Sequence, residues 1–168
     1  MQTFISADQI RERVAALAAE IRRDHPGGVH LVCVLKGAFM FLADLARELE
    51  GDATLDFMAL SSYGGSTKSS GQVQLLKDLG AGIDGRDVVI VEDIVDTGLT
   101  LTYLRDILRA RAPRNLRTAC LLSKPSRRKT EVPVEYIGFT IEDKFVVGYG
   151  LDYNEKYRNL PYIGIIGE

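Results

Sequence analysis

Residues 88–100 read VVIVEDIVDTGLT, so the carboxylates Glu92, Asp93 and Asp96 fall within five positions behind four β-branched residues. Thr97, Gly98 and Thr100 follow directly. The two halves of this stretch suit opposite charges. A helix start after such a loop offers unpaired backbone N–H groups and a partial positive charge, which favour an anion. Thr97 and Thr100 add hydroxyl donors, and Gly98 lets the backbone approach closely. One phosphate monoester fits there. The adjacent Glu92 and Asp93 need other partners. Ionised carboxylates accept hydrogen bonds from a sugar diol, or they face Mg²⁺ directly or through water. Asp96, set beside the same sugar, is placed to move a proton on whatever the sugar carries.

The surrounding elements must position these groups. Val88–Val91 reads as a buried strand, and Leu101, Leu104, Ile107 and Leu108 mark a following helix whose other face carries Arg105, Asp106 and Arg109. HLVCVL, residues 30–35, is a continuous apolar run, the pattern of a parallel strand covered on both faces. An earlier helix carries Ile10, Val14, Leu17 and Ile21 behind a capping box of Ser6 and Gln9. It stops at HPGG, which contains His25; that histidine and His30, which opens the next strand, read as structural. A further helix has Leu42, Leu45, Ala46 and Leu49 on one face, followed by the strand ATLDFMAL, 53–60. QVQLL, TACLL, VEYIGF, KFVVGYG and YIGII supply the remaining strands. This alternation predicts an α/β fold with a mainly parallel, twisted sheet flanked by helices. Ligands of such sheets bind beyond the carboxyl ends of the strands, where EDIVDTGLT falls.

Composition narrows the class. The 168 residues are 46% hydrophobic and carry a formal net charge of −2. That is ordinary for one globular domain spanning 1–168, and it weighs against a surface built to grip nucleic acid. Cys33 and Cys120 lie in apolar runs and read as small buried hydrophobes. The N-terminal stretch lacks a signal-peptide pattern, and no apolar run nears the roughly 20 residues of a membrane span. The expectation is a cytoplasmic protein with no membrane partner. There is no G-x-x-x-x-G-K-[ST] and no G-x-G-x-x-G, so neither a triphosphate P-loop nor a dinucleotide fingerprint is present. Residues 61–71, SSYGGSTKSSG, are polar and glycine-rich, read equally as a surface loop or a lid.

VVIVEDIVDTGLT resembles the phosphoribosyl-diphosphate signature of the type I phosphoribosyltransferases. LKGAFMFLADL, SSYGGSTKSSG, SKPSRRK and DKFVVGYGLDYNEKYRNLPYIGII are similar to the bacterial hypoxanthine (6-oxopurine) phosphoribosyltransferases, over about Leu31 to Ile166. The resemblance implies the type I phosphoribosyltransferase fold, with a small hood from the N- and C-terminal segments and a flexible lid at about 61–71. It implies purine salvage: transfer of the 5-phosphoribosyl group from phosphoribosyl diphosphate to hypoxanthine, and to guanine, giving IMP or GMP and pyrophosphate. Asp96, Thr97, Gly98, Leu99 and Thr100 then hold the 5′-phosphate, Glu92 and Asp93 take the ribose hydroxyls, and Asp96 is the general acid or base. Lys124 points at the purine O6, Phe145 stacks on the ring, and the Val146 backbone bonds the base. Asp152 ligates Mg²⁺, with Glu92 and Asp93 as further metal-side acids. Lys36, Gly37 and Arg158 meet pyrophosphate, with a cis peptide expected at Leu35–Lys36, and Ser62 and Tyr63 belong to the lid. Relatives form homodimers and homotetramers.

Two departures stand out. Leu99 occupies a position that is basic in some relatives, and Ser123 one where an acid is common. An opposing reading is a regulator that senses phosphoribosyl diphosphate without turnover, using Arg105, Arg109, Arg111, Arg114 and Arg117 on RNA or DNA. Another is a transferase for a different base, which Lys124, Phe145 and Val146 disfavour.

Overall fold

The computed structural model describes residues 1–62 and 73–167. Two sheets organise them. The larger has six strands in the order β4-β3-β2-β5-β6-β7, formed by Val73–Lys77, Ala53–Ser62, Val29–Leu35, Asp87–Val95, Asn115–Ser123 and Tyr136–Thr140. All neighbours run parallel except the edge pair β3–β4, which is antiparallel. The smaller sheet is antiparallel and joins the two ends of the chain in the order β1 (Gln2–Ile5), β9 (Ile163–Ile165), β8 (Val146–Val147).

Both faces of the large sheet are covered, as its continuous apolar strands require. Helices α1 (Ala7–Asp24) and α2 (Phe39–Glu48) bury Leu17, Ile21, Phe41 and Leu45 against one face, with Leu31, Cys33, Val89 and Val91 beneath them. Helix α3 (Leu99–Arg109) lays Leu101, Leu104 and Leu108 on the other face, against Val32, Val88, Ile90 and Cys120. Alternate residues of β2 and β5 thus serve opposite cores, following the two-residue period of a strand. Ser6 caps α1 through the expected reciprocal pair with Gln9. His25 closes the same helix, its ring Nδ1 within 2.9 Å of the Ile21 carbonyl, and His30 Nδ1 lies 2.7 Å from Thr54 Oγ1. Cys33 and Cys120 are free and buried, and burial pushes both thiols up to about 12.

The strand order reverses between β2 and β5, because the chain leaves β2 toward β3 on one side and leaves β5 toward β6 on the other. Their carboxyl ends part at that point and leave a crevice.

Three expectations change. Strand β5 continues to Val95, held by β6 through pairs as far as Val95↔Ser123, so Glu92 and Asp93 are strand residues rather than loop residues. Of KFVVGYG only Val146–Val147 pairs as a strand; Gly148 and Gly150 follow at φ 98 and 99 and turn the chain. Arg105 is not on a solvated face. It is 6% exposed, donating to Thr118 Oγ1 at 2.7 Å and lying 3.4 Å from Glu135.

Candidate active site

The ends of β2 and β5 form one wall of a cavity of about 300 Å³. Lys36 and Gly37 enter from β2, Glu92 to Asp96 from β5, Gly98 and Thr100 from the start of α3, and Asp152 and Arg158 from the segment after β8. The peptide between Leu35 and Lys36 is cis, as expected. A side chain at Gly37 would have to displace the Asp93 carboxylate. A Cβ built there falls inside the van der Waals shell of Asp93 Oδ2, so the turn and the carboxylate interlock. The other Asp93 oxygen accepts from the Ile94 amide at 2.6 Å.

Burial and proximity act together on the paired acids. Glu92 is 6% exposed. Its carboxyl is pushed well above the usual range, first by burial and then by the neighbouring charge of Asp93. Asp93 is itself raised to about 6, chiefly by burial. Such a pair gains from any ligand that brings hydroxyl donors or positive charge. Asp96 is oriented by the Thr97 amide, which donates to Oδ1 at 2.6 Å. Gly98 is the N-cap of α3 at φ 83 with no side-chain cap of its own, and it lines the cavity together with Thr100 of the first turn. Thr97 and Leu99 are not part of the cavity lining; Thr97 Oγ1 instead accepts from the Leu99 amide at 3.3 Å.

A second cavity of about 430 Å³ shares Asp93, Ile94, Asp96 and Asp152 with the first. Its remaining wall is Lys124, Arg127, Asp143, Phe145, Val146 and Leu151. Phe145 is 51% exposed, meeting Tyr153 edge to face at 5.6 Å between centroids. An aromatic face left open beside Lys124 is a platform for a flat ring with a carbonyl. The Lys124 side chain is 12% exposed, and its Nζ lies 3.4 Å from Asp143.

One guanidinium unites the two cavities, and it was not among the candidates read from sequence. Arg128 Nη1 donates to the carbonyls of Val95 at 2.8 Å, Asp96 at 2.9 Å and Lys124 at 3.3 Å. Its Nη2 donates to Ser123 Oγ at 2.9 Å. The residue sits in the basic run KPSRRK, where only its position a few residues after Lys124 hinted at such a role.

Lys36 and Arg158 converge from opposite sides. Lys36 Nζ lies 3.2 Å from Glu155, Arg158 Nη2 lies 3.0 Å from Glu155 and 3.5 Å from Asp152, and Arg158 Nη1 donates to the Gly150 carbonyl at 2.8 Å. Among the described residues no three His, Cys, Asp or Glu side chains form a metal site of their own. Mg²⁺ usually takes one or two protein carboxylates, with phosphate oxygens and water completing its shell. The all-oxygen acids Glu92, Asp93 and Asp152 around one cavity fit an ion shared with a phosphorylated ligand.

The structure thus brings Lys36, Gly37, Glu92, Asp93, Asp96, Gly98, Thr100, Asp152 and Arg158 to one cavity, and Lys124, Phe145 and Val146 to its neighbour. Ser61 and Ser62, at the start of the expected lid, end β3, with Ser62 pairing with Val73. Tyr63 and most of residues 61–71 lie outside the described residues. Four of the five arginines offered to a nucleic acid are engaged elsewhere: Arg111 pairs with Asp78, Arg114 with Asp87 and Arg117 with Asp24, while Arg105 is buried.

Comparison with known proteins agrees with this geometry. The family model described as "Phosphoribosyl transferase domain" matches residues 6–154. The chain is 46% identical to the hypoxanthine-guanine phosphoribosyltransferase of Bacillus subtilis, over 98% of this chain and 92% of that protein. It is 48% identical to the hypoxanthine phosphoribosyltransferase of Escherichia coli, over 98% and 94%. A crystal structure of a hypoxanthine-guanine phosphoribosyltransferase from Bacillus anthracis superposes with a TM-score of 0.95 at 48% identity, covering 99% of each chain.

Proposed function

This chain belongs to the phosphoribosyltransferase family, and from that premise we propose what its paired cavities do. It is an enzyme of purine salvage that transfers the 5-phosphoribosyl group of phosphoribosyl diphosphate to hypoxanthine, releasing IMP and pyrophosphate. Guanine is the expected second acceptor, giving GMP.

The observation that carries the reading is the shared acidic wall. Asp93, Ile94, Asp96 and Asp152 face both cavities, so a sugar on one side and a base on the other meet across it. The first-turn amides of α3, with Gly98 and Thr100, receive the 5′-phosphate. Glu92 and Asp93 accept hydrogen bonds from the ribose hydroxyls, which stabilise their ionised forms. Phe145 stacks on the purine, and Lys124 donates to O6. Asp96 accepts the proton leaving the purine at N7 as N9 bonds to C1′ and the C1′–oxygen bond to pyrophosphate breaks. Lys36, Gly37 and Arg158 receive the departing pyrophosphate. Asp152, with Glu92 and Asp93, would hold Mg²⁺, which neutralises charge on the diphosphate.

Lys124 also sets specificity. An ammonium has donors only, so it bonds a 6-oxo group but not a 6-amino group, whose own N–H donors then face the Lys124 charge with no acceptor. A buried donor without a partner costs about 1–3 kcal/mol, roughly 5–150-fold. The chain acts as one domain over residues 1–168, in the cytoplasm, and as a homodimer or homotetramer. Exposed Leu55 on β3 and Leu76 on the edge strand β4 suit such assembly; among the described residues no helix is long and apolar enough to cross a membrane.

The test is nucleotide formation from phosphoribosyl diphosphate, with and without Mg²⁺, on hypoxanthine, guanine, xanthine and adenine. Turnover of 6-oxopurines over adenine is expected. Diphosphate binding without turnover on any base would return the regulator reading.

A further inference from the structure

Glu155 has no role in the reading above, yet both cations assigned to pyrophosphate touch it. Its Oε2 lies 3.2 Å from Lys36 Nζ and its Oε1 3.0 Å from Arg158 Nη2. The backbone aims it there. Asn154, Glu155 and Tyr157 have φ of 52, 65 and 78, a conformation side-chain-bearing residues seldom adopt. The Glu155 amide donates to Asp152 Oδ2 at 2.9 Å, and Tyr153 and Lys156 close the turn with two backbone bonds of 3.0 Å. A strained turn held by three hydrogen bonds to present one carboxylate is a feature that the surroundings sustain. Hydrogen bonds from Arg158 and then Lys36 hold that carboxyl below its usual range, so it is anionic throughout the neutral region. The side chain is 64% exposed and free to swing into water. Arg158 Nε is buried and has no partner among the described residues, so the guanidinium is not saturated by Glu155.

We infer that Glu155 is a built-in surrogate for pyrophosphate. It keeps Lys36 and Arg158 converged while the diphosphate is away, and the diphosphate must displace it to bind. Two carboxylate oxygens stand where two phosphate groups later bind the same cations, and like charge drives the side chain out. The consequence is weaker diphosphate binding and faster release of pyrophosphate. The inference rests on the assignment of Lys36 and Arg158 to pyrophosphate.

The experiment compares wild type, Glu155→Gln and Glu155→Ala, each with and without Lys36→Gln, at full length. Pyrophosphate with Mg²⁺ is titrated calorimetrically, and KM is measured for phosphoribosyl diphosphate and for hypoxanthine. Both Glu155 variants are expected to bind pyrophosphate about 3–10-fold more tightly, in the range of exposed ion pairs. KM for phosphoribosyl diphosphate should fall in parallel, and KM for hypoxanthine should stay unchanged. The gain should shrink once Lys36 is replaced. Unchanged or weaker pyrophosphate binding in both variants, with thermal unfolding as in wild type, overturns the surrogate role. If Lys36→Gln by itself leaves pyrophosphate binding intact, the assignment of Lys36 fails first and the surrogate role fails with it.

Discussion

Replacing Arg128 with alanine should damage folding and catalysis together. The guanidinium donates to three carbonyls and one hydroxyl, from Val95, Asp96, Lys124 and Ser123. Charge-assisted bonds contribute about 1.5–3 kcal/mol each before sharing. Three of the four share one nitrogen, and the carbonyls near the cavity can rehydrate. The net loss should therefore be about 2–4 kcal/mol, in the range of a broken buried network. The kinetic loss follows from what the clamp spans. It fixes the backbone beneath the proton-transfer carboxylate and beneath the lysine that reads the base. A displacement of roughly 1 Å at such groups costs about 10²-fold. Arg128→Ala should therefore lower kcat/KM for hypoxanthine by about 10²-fold and narrow its margin over adenine. Arg128→Lys should recover only part of both, since one ammonium cannot span four acceptors. Urea unfolding and steady-state kinetics on both bases measure the two effects. Wild-type kinetics in a destabilised Arg128→Ala protein would break the link between clamp and chemistry, and wild-type stability would show that the four bonds contribute nothing.

Four further outcomes are expected. Asp96→Asn should lower turnover by about 10²–10⁴ while calorimetric binding of phosphoribosyl diphosphate stays near wild type; unchanged turnover removes Asp96 from proton transfer. Asp143→Asn releases the Lys124 ammonium from its partner 3.4 Å away, so KM for hypoxanthine should rise about 3–10-fold with kcat less affected, and an equal fall in kcat would point instead to the reacting groups. Glu92 and Asp93 are both raised by burial, Asp93 to about 6. A carboxyl raised above its unfolded value of about 4 contributes stability that is complete below about pH 4 and lost as pH rises through about 6. Glu92→Gln should therefore be more stable than wild type in urea at pH 8, and the gap should narrow as the pH falls and Glu92 takes up its proton; a gap independent of pH contradicts the burial argument. Gly37→Ala forces a methyl group into Asp93 Oδ2, and should lower kcat/KM by at least about 10²-fold, read by the same assay, with wild-type activity excluding the interlock.

The fold was legible where local pattern and final environment agree. The β-branched runs of β2 and β5 and the apolar stripes of α1 and α3 demand burial wherever they go. The order of elements then places the reversal between β2 and β5, and with it the site. What stayed hidden depends on distant partners. The length of β5 is set by its register with β6, which carries Glu92 and Asp93 into the sheet. Arg105 falls on the same i, i+3, i+4, i+7 face as Leu101, Leu104 and Leu108, but a charge there reads as solvated until Thr118 and Glu135 stand across from it. Arg128 and Glu155 sit in charged runs indistinguishable from solvated surface until the fold brings carbonyls to one and cations to the other. Phe145 carried the opposite ambiguity: an aromatic residue before two valines looks like core, and only the fold leaves half of it open.

The interlock at Gly37 reaches further than the site. A Cβ at Gly37 meets Asp93, and a Cβ at Gly150, at φ 99, meets the carbonyl of Gly37 itself. Three segments far apart in the chain therefore meet here, Gly150 against the Gly37 backbone and Gly37 against the Asp93 side chain. In evolutionary terms these positions are epistatically bound. A larger residue at Gly150 meets backbone, which has little room to give, whereas one at Gly37 requires the Asp93 side chain to move with it. The route by which a descendant of this chain could acquire a different leaving group or acceptor accordingly runs around this junction, through the cavity walls at Lys124, Asp143 and Phe145, where space remains for side chains to vary.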